Sequence, residues 1–314
     1  MFQGMDYVYA VYKERSFSKA AEKLFISQPS LSANVKRVEQ AVGYPIFDRS
    51  TKPIGLTEPG KKYIQTILQM KAMQAEFSEY LNDLGSLRTG KLTLGGSSLY
   101  SSLLYPRLIQ QFTKQFPLIQ INLKESNTVQ LEKMLLNGEI DLLLDNCEMD
   151  STIFDHQILR KEHILLAVPG TMEINTHLKE YQVSADAVRS RMFLDDSVPV
   201  VDLKAFSTIP FIMLSEENGT RILAMELCRQ SGFHPHILFE LEQQMTSFTV
   251  TCSGLGASFV SDTLISNLPA HANVVFYKLN PEASARNLYF YWKKGRYFSN
   301  VIKEFLKSAS DYSD

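Results

Sequence analysis

The residues of this chain that could support chemistry do not form the patterns that catalysis and metal binding require. The sequence has no GxSxG motif, no HExxH motif, no Walker-type loop and no carboxylate pair placed for acid-base work. Asp195 and Asp196 are adjacent in a stretch typical of a solvated turn. His234 and His236 form the only close histidine pair, and Pro235 between them favours a strand end over a metal site. The sequence therefore predicts neither an enzyme nor a cofactor or metal site.

A second set of side chains, between positions 27 and 52, has the types and spacing for hydrogen bonding to nucleic-acid bases and phosphates. Gln28 can form a bidentate contact to adenine, Ser32 can donate or accept, and the Ala33 methyl group can touch a thymine methyl. The basic residues Lys36 and Arg37 follow later in the same segment, where they can bind DNA phosphates. The candidate DNA-contacting residues are Ser27, Gln28, Pro29, Ser30, Ser32, Ala33, Lys36, Arg37, Arg49 and Lys52.

These residues need a scaffold of three helices and a hairpin. Apolar spacing predicts a first helix over residues 5–14. Ser18 is the expected N-cap of a short helix over 19–25, and Ser27 is that of a third helix, which has Pro29 in its first turn and ends at Gly43. Two short strands, 46–47 and 54–56, flank a polar loop and form a wing. The inward face of the third helix consists of Leu31, Val35, Val38 and Val42.

The fixed spacing of this segment resembles that of the LysR-type transcriptional regulators. The matching positions are Ser16, Phe17, Ala20, Ala21, Leu24, Ser27, Gln28, Pro29, Leu31, Ser32, Glu39, Gly43, Phe47, Arg49, Leu56, Thr57 and Gly60. The resemblance implies a winged helix-turn-helix head that binds double-stranded DNA, with RNA polymerase as a further partner. Ala33 and Asn34 stand where many relatives carry long or basic side chains, so the preferred operator sequence is left open.

A long helix is predicted over residues 58–84, with Thr57 as its cap. Seven of its residues repeat at alternating steps of four and three, which is the spacing of a helix-pairing seam. The candidate dimerisation residues are Tyr63, Ile67, Met70, Gln74, Phe77, Leu81 and Leu84. The alternative is that this face packs on the chain's own body. The family resemblance implies paired heads in a homodimer or homotetramer, and therefore an interrupted palindromic operator.

From residue 90 onward, strands and helices alternate, which predicts parallel sheets. We expect a multidomain protein: a head over 1–58, a linker helix over 59–88, and a two-lobed α/β effector domain. The first lobe should comprise 89–167 plus 270–314, and the second 168–269. The effector domain resembles that of the LysR family and the periplasmic binding proteins. Residues 170–207 are an insertion relative to that pattern, for which we expect surface decoration rather than a lid.

A ligand cleft is expected between the two lobes, where the ends of strands meet the starts of helices. Hydroxyl groups and backbone N–H groups at helix starts favour a small anion. For each Ser or Thr, simple helix capping is an equally good explanation. The candidate effector-binding residues are Ser97, Ser98, Thr128, Thr220, Arg221, Gln244 and Thr246.

Charge is distributed unevenly along the chain. Residues 1–62 carry ten lysines and arginines against six acidic residues, a net charge of +4, so the remainder carries -6 of the total of -2. A basic head on an acidic body indicates nucleic acid at one end only. Cys147, Cys228 and Cys252 are isolated, without a CxxC pair. The absence of a signal peptide or membrane span in the sequence predicts a cytoplasmic protein.

Together these observations predict a transcriptional regulator that binds DNA as a paired oligomer under the control of a small-molecule effector. Two alternatives remain open. The first is a metabolite-binding module with a vestigial head, against which the intact Gln28, Pro29, Ser32 and Arg49 argue. The second is a regulator switched by its thiols, which would require two of the three cysteines to come together.

Overall fold

The computed structural model describes residues 1–84 and 89–310. The chain divides into two compact units, one of which comprises residues 1–84 with 136–139 and the other the rest of the chain. Each unit has its own hydrophobic core.

The head begins with three helices, and local sequence signals set their ends. Helix α1 covers Met5–Glu14, α2 covers Phe17–Lys23 and α3 covers Gln28–Val42. The Ser27 hydroxyl accepts a hydrogen bond from the Ser30 backbone N–H at 3.3 Å, and Gly43 ends α3 with a φ of 85°, which confirms both predictions. The predicted cap of α2 was wrong by two residues. Ser16, in an extended conformation, accepts from the Lys19 N–H at 3.4 Å, so α2 starts at Phe17.

A two-stranded wing follows α3 and leads directly into the long helix. Strand β1 is Phe47–Asp48, β2 is Gly55–Leu56 and α4 is Glu58–Leu84. The Thr57 hydroxyl accepts from the Gly60 N–H at 3.0 Å and donates to the Pro45 carbonyl oxygen at 2.6 Å, so the cap also fixes the base of the wing. A Cβ atom at Gly60 would lie 1.9 Å from the Ile46 carbonyl oxygen, so only glycine allows this close approach.

The core of the head extends into α4. Its fully buried members include Val8, Leu31 and Val35, and Tyr63 and Ile67 of α4 join them. The structure therefore corrects the assignment of Tyr63 and Ile67 to a dimerisation seam, because both side chains pack inside their own head. The head and the first third of α4 form a single packed body.

The first lobe of the effector domain is built on a mixed sheet in the order β4-β3-β5-β12-β6. Strands β3 (Gly90–Gly96), β4 (Ile119–Glu125) and β5 (Leu142–Asp145) are parallel, and β12 (Ala285–Lys293) runs antiparallel to β5 and β6. The helices of this lobe are α5 (Ser98–Leu103), α6 (Tyr105–Gln115), α7 (Thr128–Leu136) and α13 (Asn300–Ser310).

The second lobe shares strand β6 (Phe154–Pro169) with the first. Its sheet contains β8 (Pro210–Leu214), β9 (His236–Leu241), β10 (Ala257–Ser261) and β11 (Val274–Lys278), with helices α10 (Gly219–Gln230), α11 (Gln244–Cys252) and α12 (Asp262–Asn267). The expected lobe boundary was wrong at both crossovers. β6 pairs with β10 from Ile164 onward, and β11 pairs with β6 in this second sheet, so the chain returns to the first sheet only at Ala285.

The insertion over 170–207 is a packed part of the effector domain, which corrects the expectation of surface decoration. It contains α8 (Ile174–His177), β7 (Gln182–Val183) and α9 (Ala185–Arg189), and β7 pairs with β11. Phe193 and Phe206 are each buried in one of the two cores of the domain. The Lys278 ammonium group, itself buried, donates to the carbonyl oxygens of Asp195 at 2.8 Å and Val198 at 3.1 Å. These bonds hold the irregular end of the insertion in place.

Candidate nucleic-acid interface and ligand cleft

Helix α3 presents two faces of opposite character. Leu31, Val35 and Val38 are buried against α1, α2 and α4. Ser32 is half-buried between the two faces, and the other candidate DNA contacts of this helix and its cap are exposed: Ser27, Gln28, Pro29, Ser30, Ala33, Lys36 and Arg37. The structure therefore places these candidates on or beside one open polar face of a single helix.

Gln28 is oriented by its neighbour on that face. Its side-chain Nε2 donates to the Ser32 hydroxyl at 3.2 Å, while the Asn34 amide donates to the Ser30 carbonyl oxygen at 3.0 Å. A glutamine amide has two N–H donors and a carbonyl acceptor. With one donor held by Ser32, the other donor and the carbonyl remain for the adenine edge. The contact between these two side chains reduces the rotamer freedom that base binding would otherwise have to remove.

Arg49 at the wing is held by Glu39 and Phe17. Its guanidinium lies 3.2 Å from the Glu39 carboxylate and 5.2 Å from the centre of the Phe17 ring, and its side chain is 53% exposed. The other oxygen of Glu39 accepts the backbone N–H groups of Ile46 at 2.9 Å and Phe47 at 3.3 Å. Glu39 thus joins α3 to the start of the wing, a role that the sequence analysis did not identify. Lys52 is exposed in the wing loop.

The predicted seam on α4 stays open only in its second half. Met70 is half-buried and Gln74 is exposed, while Phe77 and Leu81 are 62% and 50% exposed. Met73 and Tyr80 add further exposed apolar surface, and the Phe77 and Tyr80 rings stack with their centres 6.5 Å apart. The side chain of Leu84 lies outside the described part of the chain. An apolar stripe therefore follows the region where α4 leaves the head core.

A cavity of about 120 Å³ opens in the effector domain where the ends of strands β3, β4, β5, β8 and β9 meet. Of the candidate effector-binding residues, the structure brings four together at this cavity: Ser97, Thr128, Thr220 and Gln244. The starts of α7, α10 and α11 all lie at its wall. Three helix N-termini place backbone N–H groups and partial positive charge around one small space, which favours an anion.

Thr220 is at the centre of a hydrogen-bond network in this cavity. Its hydroxyl oxygen accepts from the Arg286 guanidinium at 2.9 Å and from the Gln244 amide at 3.3 Å. Gln244 in turn accepts from the Ser261 hydroxyl at 2.9 Å. Because both lone pairs of the Thr220 oxygen are used, its remaining O–H proton can only donate. The network therefore presents a hydroxyl donor beside a guanidinium cation.

Arg286 is held by a buried partner behind the cavity. Its guanidinium lies 2.7 Å from the carboxylate of Glu162, which is fully buried on β6 and also accepts from the Thr263 hydroxyl. Burial by itself lowers the pKa of Arg286, but the charges of Glu162 and nearby Tyr100 outweigh it and raise the pKa above its ordinary value. Arg286 is therefore a fixed cation.

Asp145 organises the opposite wall. One of its oxygens accepts the backbone N–H groups of Asn146 at 2.7 Å and Cys147 at 3.0 Å, and the other accepts the Thr128 hydroxyl at 2.9 Å. Burial raises the pKa of Asp145, and these hydrogen bonds offset part of that effect. The carboxylate serves the loop and is not left facing a ligand. At the mouth of the cavity, Glu217 and Glu242 are exposed.

Three of the candidate effector-binding residues do not line this cavity. Arg221 is buried and donates to the Leu214 carbonyl oxygen at 2.8 Å and to Glu240 at 2.9 Å, so it is a structural ion-pair residue. Ser98 lies within the first turn of α5, and Thr246 is exposed on α11. The structure therefore does not place these three residues at the cavity, because Arg221 is held by its ion pair and the side chains of Ser98 and Thr246 are not part of the lining.

The residues that sequence analysis missed come from strands. Arg286 and Glu162 are 124 residues apart and meet only because β12 pairs with β6, where Arg286 lies opposite Glu162 in the register. A signal was present in the sequence for Asp145, which is a charged residue at the end of the wholly apolar run Leu142–Leu144. Such a charge at the end of a buried strand is a marker of a cleft residue.

The cysteines are poorly suited to thiolate chemistry. Burial, with a contribution from Asp145, raises the pKa of the Cys147 thiol to about 12, and burial alone raises that of Cys228 to about 12. Burial also raises the pKa of Cys252. Thiols of this kind are almost fully protonated at neutral pH and react slowly. The hypothesis of a thiol switch therefore loses its chemical basis at these positions.

Within residues 1–84 and 89–310, no three histidine, cysteine, aspartate or glutamate side chains gather into a group that could hold a metal ion. Over the same residues, no helix has both the length and the apolar character needed to cross a lipid bilayer.

Comparisons with protein families match both parts of the chain. Residues 2–61 match the bacterial regulatory helix-turn-helix protein, lysR family, and residues 85–313 match the LysR substrate binding domain. An uncharacterized HTH-type transcriptional regulator, YcgK of Bacillus subtilis, is 27% identical over 98% of this chain and 93% of its own length. A probable RuBisCO transcriptional regulator of Emiliania huxleyi is 28% identical over 96% of this chain and 91% of its own.

Solved structures show the same fold. The crystal structure of CbnR, a LysR family transcriptional regulator, superposes with a TM-score of 0.69 at 14% identity and covers 100% of this chain and 99% of its own. Full-length CbnR in complex with its target DNA gives a TM-score of 0.68 at 15% identity, covering 100% of both chains. The regulatory domain of Synechocystis CcmR in complex with 2-PG gives 0.59 at 18% identity, over 72% of this chain and 98% of its own.

Proposed function

The chain belongs to the LysR family of transcriptional regulators, and from this premise we propose how its parts divide the work. The head binds an interrupted palindromic operator as one of a pair, and a small anion in the effector-domain cleft controls that binding. The observation that carries the proposal is the network at Thr220, where a hydroxyl donor and the fixed cation Arg286 converge on three helix N-termini. The protein acts by binding rather than catalysis, in the cytoplasm where its DNA is located.

For DNA binding, the support is that side chains suited to base edges and side chains suited to phosphates lie at different places along α3 and the wing. Gln28 and Ser32 lie at the start of the helix, where small polar side chains can reach base edges. Lys36 and Arg37 lie further along, and Lys52 is in the wing, where flexible cations suit phosphates. The exposed Ala33 leaves room for a thymine methyl group. Base selectivity therefore rests on the first turns of α3, and affinity on the cations.

For pairing, the support is the open apolar stripe at Gln74, Phe77 and Leu81, together with Met73 and Tyr80. Exposed aromatic and aliphatic side chains on one helix favour burial against a second copy of that helix. Two heads joined in this way read two half-sites separated by a whole number of helical turns, about 10 bp each. We propose a homodimer or homotetramer as the assembled form, with RNA polymerase as its partner at the promoter.

For the effector, the support is the chemistry of the cleft. Thr220 and Arg286 can hold one anionic group, and the N–H groups that start α7, α10 and α11 surround it. The CcmR regulatory domain, which shares this fold, was solved with 2-PG bound. The exposed carboxylates of Glu217 and Glu242 at the mouth disfavour a ligand that carries a second negative charge at its outer end. The preferred effector is therefore a small anion with a neutral or cationic outer part.

Control of DNA binding follows from differential affinity. Thr220 and Gln244 belong to the second lobe, whereas Arg286 and Thr128 belong to the first, so a ligand that touches both stabilises one arrangement of the lobes. The ligand can shift the balance only by the difference between its affinities for the two arrangements. A shift of 10-fold in operator affinity requires about 1.4 kcal/mol of such coupling.

The test is a footprint on the DNA upstream of the protein's own gene, combined with native mass spectrometry of the purified protein. We expect two protected half-sites on one face of the DNA and a retained small anion that Thr220→Val loses. Folded protein that protects no specific sequence would overturn the DNA assignment. A ligand that is retained equally by Thr220→Val would overturn the assignment of the cleft, and the DNA result would be unaffected.

A further inference from the structure

We propose that Phe25, in the turn between α2 and α3, reads the methyl group of a thymine at one end of each half-site. Its ring extends the base contacts of Gln28, Ser32 and Ala33 by one further position. Phe25 is not among the positions that match the LysR pattern, so the resemblance does not assign it a role. The inference rests on the proposed function, because it requires α3 to lie in the major groove of an operator.

The ring of Phe25 projects away from the head core. It is 95% exposed, the highest fraction among the large apolar side chains of the described residues. The residues on either side of it, Leu24 and Ile26, pack against the core of the head. Single exposed apolar side chains are common on protein surfaces, so exposure alone does not indicate a function. It does show that the ring contributes little to the folding of the head.

Phe25 also has a backbone conformation that is unfavourable for an aromatic residue. Its φ is 55°, in the left-handed region that crowds the Cβ atom of every residue except glycine. Two hydrogen bonds impose this conformation: the Phe25 N–H donates to the Glu22 carbonyl oxygen at 3.0 Å, and the Ile26 N–H donates to the Ala21 carbonyl oxygen at 3.1 Å. This pair of bonds is the Schellman ending of a helix, in which the left-handed residue is usually glycine. The turn itself therefore gives no reason for a phenylalanine.

The position of Phe25 indicates DNA as the partner of its ring. A strained residue whose side chain is not used in the core indicates a functional contact. Phe25 lies two residues before Ser27, the cap of α3, and three residues before Gln28. Three residues of chain span at most about 11 Å, so the ring lies beside the side chains that face the bases. Residues 16–37 contain four basic residues and one acidic residue, a net charge of +3, which attracts a polyanion to this surface.

The chemistry of the ring selects thymine among the groups that DNA presents. Phenylalanine has neither a hydrogen-bond donor nor a positive charge, so it gains little from phosphate oxygens. In the major groove the base edges present hydrogen-bond donors and acceptors, together with the methyl group of thymine, and apolar side chains such as phenylalanine contact that methyl group. Ala33 lies further along α3 and meets a different base pair. Phe25 therefore adds a thymine preference beyond the base pairs that α3 itself contacts.

The test combines Phe25→Gly in the full-length protein with operator DNA in which one thymine at a time is replaced by deoxyuridine. Deoxyuridine lacks only the methyl group, and the replacements cover both protected half-sites and the base pairs beside them. Because glycine accepts a φ of 55° without strain, Phe25→Gly removes the ring and relieves the backbone in one step. Phe25→Tyr keeps the ring. The matched control is Tyr44→Ala, which removes an aromatic ring that is 64% exposed beyond the opposite end of α3.

We expect Phe25→Gly to weaken operator binding about tenfold in fluorescence anisotropy, while its unfolding temperature is equal to or higher than that of wild type. Deoxyuridine at one position in each half-site should weaken binding of the wild-type protein about fivefold and leave the affinity of Phe25→Gly unchanged. Phe25→Tyr and Tyr44→Ala should keep the response of the wild-type protein at that position. A side chain needed only for folding would give none of this dependence on a single methyl group.

Equal affinity of Phe25→Gly and wild type for the operator would overturn the proposal. So would a loss of affinity that is the same for the operator and for unrelated DNA, since a contact to the sugar-phosphate backbone carries no sequence preference. A lower unfolding temperature of Phe25→Gly, or a methyl response that this variant retains, would also overturn it. Wild-type protein that binds no specific sequence would overturn the DNA assignment itself, which distinguishes failure of the proposed function from failure of the role of Phe25.

Discussion

Replacing Glu39 should uncouple the wing from α3 in a graded way. In Glu39→Ala, the backbone N–H groups of Ile46 and Phe47 lose their acceptor, and the guanidinium of Arg49 loses its ion pair. Each unpaired buried N–H group costs about 1–3 kcal/mol, although the Glu39 site is 13% exposed and water can replace part of the loss. The expected destabilisation of the wing is therefore about 2–4 kcal/mol.

Glu39→Gln separates the two contributions. Its carbonyl oxygen can still accept from Ile46 and Phe47, but its amide group faces Arg49 without a charge, so only the ion pair is lost. Because the Arg49 side chain is 53% exposed, that loss should cost no more than about 1 kcal/mol. The order of stability is therefore wild type, then Glu39→Gln, then Glu39→Ala.

Hydrogen exchange over residues 44–57 measures the stability of the wing in the three proteins. Fluorescence anisotropy with operator DNA at several salt concentrations measures the effect of the wing on DNA affinity. A misplaced wing should weaken all DNA sequences alike and reduce the salt dependence, since the lost contacts are to phosphates. Glu22→Ala, a substitution of an exposed glutamate on α2, is the matched control. If Glu39→Ala exchanged no faster than Glu39→Gln, the two backbone hydrogen bonds would not be what holds the wing.

Three further outcomes follow from the structure. Gln28→Ala should lower discrimination at one base pair by about 1–3 kcal/mol, whereas Lys52→Ala should weaken all sequences and reduce the salt slope by about one, as anisotropy with mutated operators would show. Phe77→Ser should shift the oligomer to smaller species in sedimentation, because the side chain is 62% exposed in a single chain and gains burial only from a partner. An unchanged mass of the oligomer would contradict the assignment of this face to pairing. For Asp145, burial raises the pKa above its ordinary value near 4, so its contribution to stability is complete below that value and is lost as pH rises through the raised pKa. Asp145→Asn should therefore be more stable than wild type at neutral pH. Thermal unfolding at pH 7.5 should show this difference in stability, and at pH 4 the difference should vanish.

The head could be predicted from the sequence because its signals are local. Ser27, Pro29 and Gly43 mark the limits of α3, and the apolar stripe at Leu31 and Val35 separates its two faces without knowledge of the rest of the chain. The heptad spacing and the Thr57 cap predict a helix over 58–84, and the structure has the same bounds. What the pattern did not reveal was the partner of each apolar residue, so the first part of the seam was assigned to a dimer.

The cleft and the insertion could not be predicted in full, because they depend on contacts between residues that are far apart in the sequence. Arg286 meets Glu162 through strand pairing across 124 residues, and no local pattern marks that register. In the insertion, the stretch over 195–200 looks like a loop, yet Phe206 shortly after it is fully buried. The ammonium group of Lys278, on a distant strand, donates to the carbonyl oxygens of Asp195 and Val198. Irregular backbone that is satisfied by side chains from elsewhere has no periodicity to detect.

The close contact at Gly60 makes the head and α4 a single rigid lever. Helix α4 has 27 residues and is therefore about 40 Å long, and its first turn cannot slide on the wing because the Ile46 carbonyl oxygen fills the space where a side chain would be. A rotation of about 10° imposed at the far end of such a lever would sweep the head through about 7 Å, or roughly two base-pair steps of 3.4 Å. An angular change of this size is enough to carry α3 from one register of the DNA to another.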